Sequence, residues 1–324
     1  MNTLIPNKLL FKWIGGKKWL SKSLLAETKT FNLSSKKIYI EPFIGGMGAF
    51  LAIFPQLKEN NFEKIILNDI NENIILTYNM VKTHPNDILV YIEKFEIEYS
   101  NTITNPNTHT YNKTKDKIIV KECLKEAEVY FKSMRKNFNT LKSKQNKTFD
   151  EQIQTVAHFL WLQEHSFNGV YRENNSGQYN TPFNWDNKKY NIENRKNTIL
   201  EYSKFFNDNH IEFTNMDVFE LLNTYKCYAN SSFIYLDPPY LNKEEKNENQ
   251  YNKDHFGLKE QNKLLDILRD YDCFLFSNHL MQLFEDYFKQ ENHSYFSIGR
   301  KNIMTAKKED RSKEILEILG RKEV

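Results

Sequence analysis

The run Ser232-Phe233-Ile234-Tyr235-Leu236 leads directly into Asp237-Pro238-Pro239-Tyr240, and this junction constrains the fold more than any other part of the chain. A short apolar run of this kind reads as a buried strand. Two consecutive prolines cannot continue a ladder, because each lacks the N–H that the ladder needs. The strand therefore stops at Asp237 and presents that carboxylate at its carboxyl end, the edge at which open α/β sheets bind ligands. The prolines fix the backbone, the carbonyl of Pro238 is aimed outward beside the carboxylate, and Tyr240 supplies a flat face. A planar ring bearing an exocyclic NH₂ fits such a pair of acceptors next to a stacking surface. The competing reading is a strand ended by a proline turn, with Asp237 as a helix cap and Tyr240 as packing.

Upstream, Ile38-Tyr39-Ile40 enters Glu41-Pro42-Phe43-Ile44-Gly45-Gly46-Met47-Gly48, after which Ala49 to Phe54 can run as a helix. This is strand, glycine turn, helix. Lys64-Ile65-Ile66-Leu67 is a second buried strand closed by Asn68-Asp69. An acid about 20 residues beyond a glycine turn is where nucleotide-binding α/β folds hold ribose hydroxyls, and Asp69 meets that spacing.

After Val81 the pattern changes. Residues 101–117 are polar and read as a loop. Leu124, Ala127, Phe131, Met134, Phe138 and Leu141 then recur at helical spacing, as do Ile153, Val156, Ala157, Leu160 and Trp161; both stripes are core faces of amphipathic helices. Asn168 to Phe183, alternating about Asn175-Ser176-Gly177, reads as a β-hairpin. Strand and helix alternation resumes at Ile211, with further strands at Cys273 to Asn278, Ser294 to Ile298 and Glu314 to Leu319. The expected organisation is one α/β domain formed by residues 1–83 and 201–324, interrupted by a mostly helical insertion over 84–200.

Composition adds exclusions. With 40% apolar and 14% aromatic residues the chain can bury a core. It holds no apolar stretch of the roughly 20 residues that cross a bilayer, and its start lacks the pattern of a secretion signal, so the expected location is the cytoplasm. Cys123, Cys227 and Cys273 form no CxxC pair, and the histidines form no HxH or HExxH, so no metal site is expected. Lys plus Arg (45) nearly balances Asp plus Glu (42). The stretch Lys132 to Lys147, with Arg135, Lys136, Lys142 and Lys144 and no acid, reads as a phosphate-following face or a solvated surface. Gly15-Gly16-Lys17 lacks the spacing of a P-loop.

Four motifs in order, Phe11-Lys12-Trp13-Ile14-Gly15-Gly16-Lys17, Glu41-Pro42-Phe43-Ile44-Gly45-Gly46, Asn68-Asp69-Ile70-Asn71 and Asp237-Pro238-Pro239-Tyr240, resemble those of the Dam-like (D12 class, alpha group) DNA adenine-N6 methyltransferases. The hairpin Asn168 to Phe183 looks like that family's DNA-probing hairpin. Tyr251 with Phe256, Ser277-Asn278, and Arg311-Ser312-Lys313-Glu314-Ile315-Leu316 resemble its later segments. The resemblance implies a Rossmann-like, seven-stranded, S-adenosylmethionine-dependent methyltransferase sheet with an inserted, mostly helical target-recognition domain carrying the hairpin.

It implies S-adenosylmethionine as cofactor, held by Trp13, Lys17, Glu41, Pro42, Phe43, Gly45, Gly46, Asp69, Asp217, Val218 and Asp237, with Asp69 on the ribose and Asp217 by the adenine. It implies double-stranded DNA as partner, approached by Lys12 and probed by Asn168, Val170, Arg172 and Pro182. Arg172 is the candidate reader of guanine, because a guanidinium fork matches O6 and N7. A monomer and a cognate restriction endonuclease complete the expected partners.

Two departures stand out. Met47 occupies the family's usual second-glycine position, with Gly46 and Gly48 expected to absorb the turn, and Arg300-Lys301-Asn302-Ile303-Met304 replaces a stretch that is small and glycine-containing in relatives.

The chemistry expected of Asp237, Pro238, Pro239 and Tyr240 follows from the poor nucleophilicity of an aromatic amine. Two acceptors that each take one N6 hydrogen localise the lone pair and aim it at a methyl carbon, without a covalent intermediate. Tyr240 would stack on a base taken out of the duplex. The residues alone leave open methylation of cytosine N4 or an RNA adenine, and an inactive DNA-binding relative.

Overall fold

The computed structural model describes residues 5–103, 117–185, 191–241, 256–301 and 314–323. Within them lie seven strands: β1 (Ile38–Glu41), β2 (Lys64–Asn68), β3 (Ile211–Thr214), β4 (Ser232–Leu236), β5 (Cys273–His279), β6 (Ser294–Lys301) and β7 (Glu314–Glu323). Tyr251, Ile303, Met304 and Arg311 to Lys313 fall outside the described residues, as does most of the polar stretch after Asn101.

The strands form one sheet in the order β3-β2-β1-β4-β5-β7-β6. The first five in that order run parallel, and β7 enters antiparallel between β5 and β6. Ile-Tyr-Ile, Ile-Ile-Leu and Phe-Ile-Tyr-Leu are apolar on both faces, as parallel strands covered on both sides require. Side chains two apart along each strand, Ile38 with Ile40, Ile234 with Leu236 and Phe274 with Phe276, face one core. Leu221, Leu222, Leu264, Leu268, Phe284 and Phe288 complete it, from the helices Val218–Tyr225, Leu258–Leu268 and Gln282–Gln290. The direction of winding reverses between β1 and β4, paired Ile38 with Ser232 through Ile40 with Ile234. Glu41 and Asp237 therefore stand at the carboxyl ends of the two strands that flank the switch point.

The chain divides into two compact units. The sheet unit comprises residues 20–44, 52–70 and 211–324; the helical unit comprises 1–19, 45–51 and 71–210. In the helical unit, the helix Lys125–Lys142 buries Ala127, Phe131, Met134 and Phe138, the stripe that the spacing predicts. The helix Phe149–His165 opens with a capping box between Thr148 and Glu151 and buries Phe159, Leu160, Trp161 and Leu162 in succession. Arg195, on the helix Ile192–Asp208, is buried and donates to the carbonyls of Leu10 (2.6 Å) and Leu160 (3.3 Å), which ties the amino-terminal segment to the helices.

The hairpin is present, turning at Asn174 to Gly177, but with bridges in place of continuous strands. It is antiparallel, with bridges of Ser166 with Phe183 and Glu173 with Tyr179, and its arms are joined by backbone bonds from the Phe167 N–H to the Pro182 carbonyl (2.8 Å), from Asn174 to Gln178 (2.9 Å) and from Asn180 to Arg172 (2.9 Å), while side chains of Lys125–Lys142 brace it from outside. Asn139 accepts from the Tyr179 N–H (2.8 Å) and donates to the Tyr179 carbonyl (3.1 Å), and Arg135 donates to the Thr181 carbonyl (3.0 Å). Asn139 takes the Tyr179 N–H and carbonyl, which point outward from the pair of arms because the ladder bonds fall on Asn174 with Gln178 and on Arg172 with Asn180.

Candidate active site

At the end of β4 the double proline stops the strand, and Asp237 emerges half-buried with Pro238 behind it. Both are held from β5. Asn278, fully buried, donates from Nδ2 to the Pro238 carbonyl (3.1 Å), while its Oδ1 accepts the His279 N–H (2.8 Å). The Ser277 hydroxyl lies 2.7 Å from the Tyr235 hydroxyl and donates to Asp237 Oδ1 at 3.4 Å. Gln261 donates to the Pro239 carbonyl (2.8 Å). The tetrapeptide is thus fixed at three successive residues by neutral side-chain donors. A carboxylate and a carbonyl held in this way cost little reorganisation when a substrate arrives.

Glu41, at the end of β1, is buried and accepts the Tyr39 hydroxyl (2.5 Å). Burial pushes its carboxyl well above the usual carboxylate range, the nearby charge of Asp237 pushes it the same way, and the Tyr39 hydrogen bond only partly opposes them. Burial, followed by the charge of Glu41, likewise raises the Tyr39 hydroxyl.

The loops that follow β1, β2 and β3 meet on one side chain, Asn68. Its Nδ2 donates to the carbonyls of Pro42 (3.0 Å) and Met216 (3.0 Å), and its Oδ1 accepts from the Thr214 hydroxyl (2.9 Å) and the Met216 N–H (2.9 Å). Asp69 follows, half-buried, with its N–H on the Thr214 carbonyl and its own carbonyl receiving Asn215 Nδ2 (2.8 Å). Asp217 is exposed and caps the helix Val218–Tyr225 through the Phe219 N–H (2.8 Å), with Val218 buried behind it. Phe43 packs edge-on to Phe256 (5.5 Å), which stacks with Phe219. The sheet unit therefore gathers Glu41, Pro42, Phe43, Asp69, Asp217, Val218 and Asp237 to Tyr240 at its carboxyl edge, on strands and loops that neighbour one another.

In the helical unit, Trp13 packs against Gly45 and Gly46: a Cβ on Gly45 would lie 2.9 Å from the indole Cδ1, and one on Gly46 would lie 3.0 Å from the Trp13 Cβ. Tyr78 donates to the Gly45 carbonyl (2.7 Å). Lys17 is buried, with Nζ 3.3 Å from the Gly15 carbonyl. The expectation for the turn needs correction. The left-handed residues are Gly45 (φ 45°) and Met47 (φ 65°), not Gly46 and Gly48. Gly48 is needed for space, since a Cβ there would meet the Lys18 nitrogen at 3.1 Å. Met47 holds a positive φ that glycine adopts freely, at a strain cost of about 1–2 kcal/mol, and buries its side chain completely.

The hairpin alternates as its pattern predicts. Tyr171, Tyr179, Thr181 and Phe183 face inward, while Asn168, Arg172 and Pro182 are exposed and Val170 is half-exposed. Tyr171 stacks on Trp13, with ring centres 5.0 Å apart. Lys12 donates to the Asn168 carbonyl (3.0 Å) at the hairpin's base, where Gly169 (φ 64°) leaves room for it. Arg172 donates from Nε to Asn180 Oδ1 (2.8 Å), with Nη2 3.5 Å from the Asn180 carbonyl.

In the basic stretch Lys132, Lys136 and Lys144 are exposed, while Arg135 and Lys142 are turned to the hairpin. Lys142 pairs with Glu173 and donates to the Gly177 carbonyl (2.6 Å), and Arg135 holds the hairpin as described above. Lys132, Lys144 and Lys147 pair with Glu128, Glu151 and Glu72. Sequence reasoning assigned no role to Asn68 or Asn278 beyond motif membership and none to Asn139, Asn180, His279 or Glu317. Only the first two carried a signal, their place in the Asn-Asp and Ser-Asn pairs.

A family model described as D12 class N6 adenine-specific DNA methyltransferase matches residues 13–305. The Type II methyltransferase M.MjaIII of Methanocaldococcus jannaschii is 32% identical over 275 residues, covering 82% of this chain and 80% of the relative. The Type II methyltransferase M1.LlaDCHI of Lactococcus lactis subsp. cremoris is 26% identical over 90% of this chain and 89% of the relative. The DNA adenine methylase of Haemophilus influenzae is 26% identical over 98% of this chain and 95% of the relative.

Proposed function

Since the chain belongs to the family of D12 class N6 adenine-specific DNA methyltransferases, we propose that Asp237 and the Pro238 carbonyl grip the amino group of an adenine taken out of duplex DNA, with Tyr240 stacked on its ring. The observation that carries this reading is the Asn278 amide on the Pro238 carbonyl at 3.1 Å. A carbonyl oxygen has two lone pairs, so the bond from Asn278 sets its direction and leaves the second for an N6 hydrogen. Asp237, directed by Ser277, takes the other hydrogen. With both hydrogens held, the nitrogen lone pair is turned out of the ring and aimed. Asp237 is also the group that receives the proton N6 sheds once it carries the methyl group.

S-adenosylmethionine supplies a methyl carbon activated by its sulfonium. The residues fit such a donor: Asp69, an acid at the carboxyl edge beside the switch point, suits ribose hydroxyls, and Asp217 and Val218 stand where the loop after β3 enters its helix. Trp13, Lys17, Gly45 and Gly46 are assigned to the same cofactor by their motifs. Arg172 reads guanine in the DNA, with Lys12, Asn168, Val170 and Pro182 around it. Two of the relatives are named Type II methyltransferases, which supports reading the chain as the modification partner of a restriction endonuclease. None of the helices among the described residues is long and apolar enough to cross a membrane, and the expected place of action is wherever the cell's DNA lies.

The test follows the label of methyl-labelled S-adenosylmethionine into duplex DNA. Label recovered as N6-methyladenine supports the reading; label in cytosine, or none, refutes it. Asp237→Ala should keep cofactor binding and lose methyl transfer by about three orders of magnitude or more. Asp69→Ala should chiefly weaken cofactor binding, and an unchanged dissociation constant would make Asp69 structural.

A further inference from the structure

The Tyr240 ring is held from two sides by one cross-strand pair. Register places His279 of β5 directly opposite Glu317 of β7, so the two side chains leave the sheet on the same face. The imidazole of His279 stacks beneath the Tyr240 ring, with centres 3.9 Å apart and planes 29° apart. Glu317, only 1% exposed, accepts the Tyr240 hydroxyl at 3.3 Å. A carboxyl group buried in a sheet is costly to keep unless it has partners, and here one partner is the end of the ring assigned to stacking on substrate.

We propose that Glu317 and His279 are positioning residues for methyl transfer. His279 covers one face of Tyr240, so the ring offers its opposite face to the extruded adenine, and Glu317 fixes the ring's rotation by anchoring its hydroxyl. The proposal rests on the reading of Asp237–Tyr240 as the adenine grip. It adds two residues that touch neither base nor cofactor and act only through Tyr240. A base stacked on a ring of fixed orientation keeps its amino group in line with Asp237 and Pro238; a ring free to swing spreads that group over many unproductive poses.

The test is a double-mutant cycle in the full chain, read as kcat and KM for duplex DNA and for S-adenosylmethionine. Tyr240→Phe removes the hydroxyl without disturbing the core, and should lower kcat about tenfold with KM for the cofactor unchanged. Glu317→Ala should give the same loss, Glu317→Gln should restore kcat to within about threefold of the parent because an acceptor oxygen remains, and the Tyr240→Phe/Glu317→Ala double variant should lose no more than either single one. Losses that multiply, to about a hundredfold in the double variant, overturn the proposal, because Glu317 would then act other than through Tyr240. Unchanged kcat in Tyr240→Phe overturns it as well, and that arm stands even where Glu317→Ala fails to fold. His279→Phe, which keeps a flat wall, should retain more kcat than His279→Ala; equal losses refute the stacking role. If the parent chain labels adenine and Asp237→Ala abolishes labelling while the cycle is additive, only the positioning role fails. If the parent chain does not label adenine at all, the reading beneath it fails.

Discussion

Asp237–Tyr240 in the sheet unit and Asn168–Phe183 in the helical unit both lie outside the regular strands and are braced by side chains. Both have their carbonyls taken by side chains of a neighbouring regular element. At Asp237–Tyr240 the donors are neutral amides, Asn278 and Gln261, with Asn68 doing the same for the adjoining loops. Most of these groups are buried. In the hairpin a neutral amide, Asn139, is joined by the charged donors Arg135 and Lys142, nearer to solvent. The difference teaches how each region can be used. A buried amide lattice is insensitive to salt and holds one geometry, which suits chemistry on a small ring. Charged, partly exposed clasps are screened by ions and loosen locally, which suits a segment that must adjust to a long polyanion.

The sharpest way to break the comparison is at Asn68. Asn68→Ala deletes four hydrogen bonds and leaves the Pro42 and Met216 carbonyls and the Met216 N–H without their partner. At about 1 kcal/mol per neutral bond, the expected loss is roughly 3–4 kcal/mol in the unfolding free energy, read from urea midpoints at constant slope. It should be the same at low and high salt. A loss below about 1 kcal/mol would show that the loops after β1, β2 and β3 hold themselves, and that the amide lattice is incidental.

How much of this was legible in the sequence depends on how far apart the partners lie. The strand stopped by Pro238 and Pro239, the acid at its end, and the parallel sheet follow from local pattern, because each is decided within about ten residues. The inward alternation of Tyr171, Tyr179 and Phe183 is local in the same sense. Asn68 was visible only as part of a motif, since the carbonyls it serves belong to residues 26 and 148 positions away. Glu317, 77 residues from Tyr240, gives no local sign of its partner. Met47 shows a different limit. Its departure from glycine could be read, but that Gly45 and Met47 take the positive φ could not, because Gly46 and Gly48 beside them offer the same freedom. In the basic stretch the charge along the chain is visible, but the acids that pair with part of it, Glu72, Glu151 and Glu173, are scattered and give no local sign.

A smaller effect tests the hairpin side. Asn139→Ala removes both bonds to the Tyr179 peptide, a loss of roughly 2 kcal/mol that should be local rather than global. Amide hydrogen exchange should speed up over residues 171–181 while the strands of the sheet unit keep their protection. Raising salt should deepen the effect in this variant more than in the parent, because the remaining clasps through Arg135 and Lys142 are the screened ones. Uniform loss of protection across both units would mean that the hairpin is part of the global folding unit and not a separately adjustable segment.

The smallest expected effect concerns what the hairpin presents. Asn180 engages Arg172 through Nε and Nη2, which leaves the edge between its two terminal nitrogens as the fork that the proposed reading of guanine would use. If Arg172 reads guanine, Arg172→Ala should reduce discrimination at one base pair by about 1–3 kcal/mol and relax preference at that position alone. Asn180→Ala leaves the fork but frees its rotation, so it should cost less, on the order of 1 kcal/mol in discrimination, with the salt dependence of DNA binding unchanged. Methylation rates on duplexes varied one base pair at a time give both numbers. A Asn180→Ala loss equal at every position would assign Asn180 to hairpin folding. A reduced salt slope in Arg172→Ala, with no change in base preference, would make Arg172 a phosphate contact, and the hairpin's exposed face would then hold DNA without reading it through this side chain.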